Sequence, residues 1–183
     1  MREGTRSEKE HIPEEGSAEA IGTEAVKRRK EIAGLEGASD KKENDPEAQK
    51  KDELASLLSE ITEKPVEEVK ELAGQILNTK VKFIFEKAAL PGHAFFDIRS
   101  TGGLLAIVIN TNHPASKHLF QLLENDPEDK TKLEALMALK LMLFAWARLE
   151  DEAPFATKQK LEDTRHDWGR AARDFIQVSE EWK

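Results

Sequence analysis

The sequence contains no cysteine. That excludes disulfides, Cys-based zinc sites and thiol nucleophiles together, and it fits the reducing cytoplasm, the expected localisation. No apolar h-region follows Met1 in MREGTRSEKEHIPEEG, so nothing there directs secretion. Long hydrophobic runs are also missing. The longest apolar helical stretch, Leu133 to Leu149, carries Glu134, Lys140 and Arg148. A bilayer span needs roughly 20 apolar residues with few charges, so this stretch reads as a core helix and no membrane is expected as a partner. Neither an HExxH nor a GxSxG sequence is present, and no glycine-rich loop ends in a lysine. Positive charge is in deficit, with 28 Lys and Arg against 36 Asp and Glu and a formal net charge of -8. Nucleic acid is therefore not indicated, since phosphate binding gains from a basic surface, although a local basic patch remains compatible with the totals.

What is there fits one domain in 183 residues, preceded by a charged segment. Residues 1 to 48 hold 9 Lys and Arg, 13 Asp and Glu and half of the ten glycines, with thinly scattered large apolar residues. Such a segment buries too little to offset an ordering cost of about 1 to 2 kcal/mol per residue, so residues 1–48 are expected to be a largely disordered linker or arm. The exception is Ala18 to Leu35, which can form a frayed helix. Its Lys27-Arg28-Arg29-Lys30 block reads as a solvated face.

Order is expected from Gln49, giving a single α+β domain over 49–183. Leu54, Leu57, Leu58 and Ile61 recur at helical spacing, and Pro65 opens a second helix running to Leu77. A three-strand meander follows. Its first strand holds Val81, Phe83 and Phe85, its second covers Ala94 to Arg99, and its third covers Leu104 to Asn110. The third is apolar from Leu104 to Ile109, the mark of a strand buried on both faces. Short loops between the strands predict antiparallel neighbours. Three helices then supply cover, at Pro114 to Glu124, from Glu128 or Lys130 to Glu152, and from Lys158 to Trp182. The middle one is apolar nearly all round and reads as a central helix. The predicted architecture is a small three-stranded antiparallel sheet packed by about five helices.

Two groups of residues stand out as candidate sites. Asn110, Asn112 and His113 sit where a strand feeds a helix N-terminus, a place suited either to anion binding or to capping, with Asn112 as the cap and Asn110 closing the sheet end. Trp168, Phe175 and Trp182 share a stripe of the last helix and read as packing or partner contacts. Five histidines, His11, His93, His113, His118 and His166, show no metal-ligand spacing. Asp163, His166 and Asp167 lie close together only on one charged helix, so neither a metal nor a catalytic residue is assigned.

The run FFDIRSTGGLLAIVINTNHPASKHLFQLL, the ARLE that closes the long helix, and DTRHDWGRAARDFI together resemble the C-terminal end of prokaryotic ATP-binding proteins of the gyrase B, Hsp90, histidine kinase and MutL (GHKL) group. The residues that carry the likeness are Asn110, His113, Pro114, Trp168 and Gly169, and Ala115-Ser116 replaces the aromatic pair that often follows the proline in that group. The resemblance spans roughly residues 50 to 183. It implies a transducer-like region beyond the ATPase domain, docking on that domain, another subunit or an effector. The family's nucleotide-binding motifs are not in this chain, so ATP and magnesium would belong to a missing or separate ATPase domain and no cofactor is expected here. Relatives of this broad type serve in bacterial defence and DNA-associated machinery. The expected function is thus a non-catalytic interaction module with a protein partner. Two rivals are a small ligand- or metal-binding enzyme centred on His113, and a helical adaptor whose charged N-terminal arm binds a partner or nucleic acid.

Overall fold

Every residue of the strand Leu104–Asn110 is buried, and the rest of the fold is arranged to bury it. The computed structural model describes residues 12–181. In chain order these form α1 (Ala18–Ala33), a 3-10 helix (Ala38–Asn44), α2 (Glu47–Thr62), α3 (Val66–Asn78), β1 (Phe83–Ala88), β2 (Phe96–Thr101), β3 (Leu104–Asn110), a π-helical turn (Ser116–Gln121) continuing into α4 (Leu122–Glu124), α5 (Lys130–Glu152) and α6 (Phe155–Glu181). Trp182 and His11 lie outside the described residues. The class is α+β, as the alternation of patterns implies.

The sheet is mixed, in the order β1-β3-β2, which corrects the antiparallel meander. β3 pairs antiparallel with β2, with Phe96 opposite Ile109 and Thr101 opposite Leu104. It pairs parallel with β1, with Phe83 beside Leu105 and Ala88 beside Asn110. The Gly102-Gly103 turn makes the expected hairpin. The loop after β1, however, crosses the end of β3 to the far edge, which places the most apolar strand in the centre.

Side chains alternate across β3. Leu105, Ile107 and Ile109 join Phe83, Phe95, Phe96, Phe120, Leu143 and Phe144 on one face. On the other, Leu104 and Ala106 meet Leu54, Leu58, Val69, Ala73 and Ile76 of α2 and α3. Large apolar side chains buried in this way contribute about 1.5 to 3 kcal/mol each.

The first face is partly covered by residues expected to be disordered. A capped helix stands well before Gln49: the Ser17 hydroxyl accepts from the Ala20 N–H at 3.3 Å, and α1 runs to a left-handed Gly34. Ala18 and Val26 enter the core, and a Cβ on Gly22 would lie 2.9 Å from the Phe83 ring. The helix buries itself by close approach through small residues, a signal that a count of large apolar residues misses. Two of its cations are also paired across the fold, with Arg29 bonding Glu152 at 2.6 Å and Lys30 lying 3.1 Å from Asp40.

The long helix α5 departs from the expected all-round burial. It contacts α1, β3, α4 and α6, yet Leu133, Met142 and Leu149 are exposed, and its fully buried residues lie between Leu143 and Asp151. Three of those buried residues are charged.

Candidate functional site

Asn110, the last residue of β3, stitches the crossing loop to the strand it crosses. Its side-chain carbonyl accepts from the Leu90 N–H at 3.1 Å and the Asn112 N–H at 3.0 Å, and its amide donates to the Ala94 carbonyl at 2.9 Å. Asparagine suits this place because one planar group both accepts and donates. The role of closing the sheet end is as expected. Asn112 is exposed and does not cap the helix.

His113 takes the capping role. Its Nδ1 accepts from the Ala115 N–H at 3.1 Å, which leaves Nε2–H to donate to the Gly169 carbonyl at 2.8 Å. The ring is 1% exposed and lies against Phe95, with centroids 5.3 Å apart. Burial holds its pKa below the ordinary imidazole value, the Gly169 carbonyl partly opposes this, and the nearby Arg173 and His93 lower it further. The result is a neutral imidazole with both nitrogens occupied, which leaves no free lone pair for a metal or a proton in transfer.

Trp168 packs edge-on against Phe95 at 5.9 Å, and a Cβ on Gly169 would stand 2.7 Å from the Phe95 nitrogen. Only glycine lets α6 approach the junction so closely. Asn110, His113, Phe95, Trp168 and Gly169 therefore form one knot between the end of the sheet, the following helix and α6. Pro114 lies at the helix start within it.

Phe175 belongs elsewhere. With Trp168 and Val178 it forms an exposed stripe along α6, at 52% for Trp168, 80% for Phe175 and 52% for Val178. Spacings of seven and three, with Ala171 between, match a coiled-coil seam. The opposite flank of α6, through Arg165, Gly169, Ala172 and Ile176, faces the domain.

Two of the other described histidines make contacts of their own. His118 bonds Glu180, His93 contacts Arg173 at 2.9 Å, and His166 is exposed. Among the described residues no three His, Asp or Glu side chains come together as a metal site.

Two buried arginines were not singled out from the sequence. Arg148 on α5 bonds Asp40 at 2.9 Å, Asp151 at 3.3 Å and Glu152 at 2.7 Å, and also reaches the Leu35 carbonyl. Asp151 in turn accepts from the Ser39 N–H and hydroxyl, and Gly37 packs so closely that a Cβ would fall 1.9 Å from an Asp151 oxygen. Burial pushes the Asp40 carboxyl up, but hydrogen bonds from Arg148, Lys82, the Gly37 N–H and Lys30 overcome it and hold the pKa far below the usual range. Lys82, just before β1, is buried and meets Asp40 at 2.7 Å. Arg165 on α6 bonds Glu150 at 2.9 Å and the Phe96 carbonyl at 2.8 Å, beside the Phe96 ring. The signal for Arg148 was in the sequence, as Asp151 and Glu152 follow it at helical spacing.

Compared with family models, curated proteins and solved structures, the chain matches none. Among the described residues, no helix is long and apolar enough to cross a membrane.

Proposed function

We propose that this chain is a non-catalytic interaction module that works in the cytoplasm with a GHKL-type ATPase, docking on a protein partner and relaying its nucleotide state. The observation that carries the docking part is the Trp168, Phe175 and Val178 stripe. Large aromatic side chains left open at coiled-coil spacing on a rigid helix are the residue types that dominate protein interfaces. The ATPase association rests on the sequence resemblance. Its support in the fold is that Asn110, His113, Trp168 and Gly169, distant in sequence, meet in one junction with structural roles. A knot that fixes α6 to the sheet makes helix and sheet move as one body, which a transducer requires.

The test is isothermal titration of the full chain into a GHKL-type ATPase domain encoded beside it, with a non-hydrolysable ATP analogue or with ADP. The expected result is binding that differs between the two nucleotides and is lost in Phe175→Asp. Equal affinity in both states, or ATP turnover by this chain alone, would overturn the proposal. A catalytic reading centred on His113 is disfavoured by the occupation of both ring nitrogens.

A further inference from the structure

A cleft of about 440 Å³ opens between α1, the 3-10 helix, the start of α2 and the α3–β1 junction. Five lysines line it. Lys27 and Lys30 come from α1, Lys50 from α2, and Lys80 and Lys82 from the approach to β1. Glu43 and Glu47 also line it and the buried Asp40 carboxylate backs Lys30 and Lys82, so five lysines against three carboxylates leave an excess of two positive charges in a chain whose net charge is -8. The floor is apolar, formed by Val26, Leu77, Val81 and Leu104.

The lysines fall into two sets. Lys82 is held deep by Asp40, by Glu43 at 2.9 Å and by the Gly103 carbonyl at 2.9 Å. Lys30 and Lys50 also lean on Glu43, through its carboxylate at 3.4 Å and its backbone carbonyl at 3.1 Å respectively. Lys30 and Lys82 are thus shared between the Asp40 and Glu43 carboxylates, and Lys50 pairs with Glu47 at 2.5 Å, so the charge open to an external anion is at the mouth. Lys27 and Lys80 stand exposed at the mouth. Lys80 does so from a left-handed backbone (φ 55°), a conformation that lysine adopts at a cost and that asparagine tolerates better.

The geometry points to a binding site for a small phosphate-bearing molecule with an apolar body, of about mononucleotide size, its phosphate held by Lys27 and Lys80 at the mouth and its body on the Val26–Leu104 floor. The volume suits one such ligand. This site is separate from the α6 stripe, and its occupancy requires no hydrolysis.

The experiment is calorimetric titration of the full chain with magnesium-free ADP, with inorganic phosphate and with a single-stranded oligonucleotide, at low and high salt. Saturable ADP binding, weaker phosphate binding and a loss of about tenfold in the Lys27→Ala/Lys80→Asn double variant are expected. The melting temperature of that variant should not fall, because both side chains are exposed and asparagine relieves the left-handed backbone at position 80. Absence of saturable binding to ADP at low-millimolar concentration, full affinity in the double variant, or preference for the oligonucleotide over ADP would each overturn the assignment.

Discussion

The His113 ring donates to the Gly169 carbonyl across 56 residues of sequence, and with the Arg165 bond to the Phe96 carbonyl it fastens the end of the sheet to the last helix. Removing either partner loosens the same joint from opposite sides.

His113→Ala should lower stability by about 3 kcal/mol, since it opens a cavity and strands the Gly169 carbonyl and the Ala115 N–H. Denaturant unfolding of the variant beside the parent chain checks this. A loss under about 1 kcal/mol would mean that the junction does not depend on the ring.

Gly169→Ala should cost about 1 to 3 kcal/mol for a different reason, because the new methyl is driven against the backbone at Phe95. Quenching of Trp168 fluorescence should change with it, as the indole loses its contact with the Phe95 ring.

The pH dependence should fall into two windows. His113 has a lowered folded pKa, so the unfolded chain binds the proton first and stability drops as pH falls through the ordinary imidazole value of 6.5. Asp40 and Glu152 are also lowered, despite burial, by hydrogen bonds from Arg148 and Lys82 to the first and from Arg29 and Arg148 to the second. Their contribution is present above the unfolded values of 3.8 and 4.5 and is lost only below them. Melting curves of His113→Gln should therefore lack the upper step and keep the lower one.

Arg148→Met should destabilise by about 3 to 5 kcal/mol, because Asp40 and Asp151 would be left buried without their shared cation. Adding Asp40→Asn should recover part of the loss. Additive losses in the double variant would show that the two residues do not act together.

A chain starting at Gln49 should fail to fold cooperatively, because α1 covers Phe83 and Phe144, which stack at 4.6 Å. Loss of a sigmoidal melt together with binding of a hydrophobic dye is the expected signature. A folded, stable truncation would return residues 12–48 to the status of a tether.

Local sequence pattern was enough for the α+β class, the fully buried strand Leu104–Asn110, the Gly102-Gly103 turn and both helices of the α2–α3 pair. Each of these is written in periodicity or turn chemistry within a few residues. The same reading placed Asn110 at the closing of the sheet, because a polar residue ending a buried strand must satisfy the backbone that leaves it. Strand order was decided elsewhere. Nothing in the residues 89–95 says that the chain will cross the end of β3 and lay β1 parallel to it, since that depends on which strand has the most surface to hide. The ordering of α1 was equally non-local. Its apolar content is too small to predict a packed helix, and it folds because Phe83, Phe144, Asp40 and Glu152, contributed by distant parts of the chain, give its small residues and cations something to bind. Arg148, Arg165 and Lys82 show the same limit, for a charge reads as surface in a sequence and becomes interior only when tertiary structure brings its counter-charges around it.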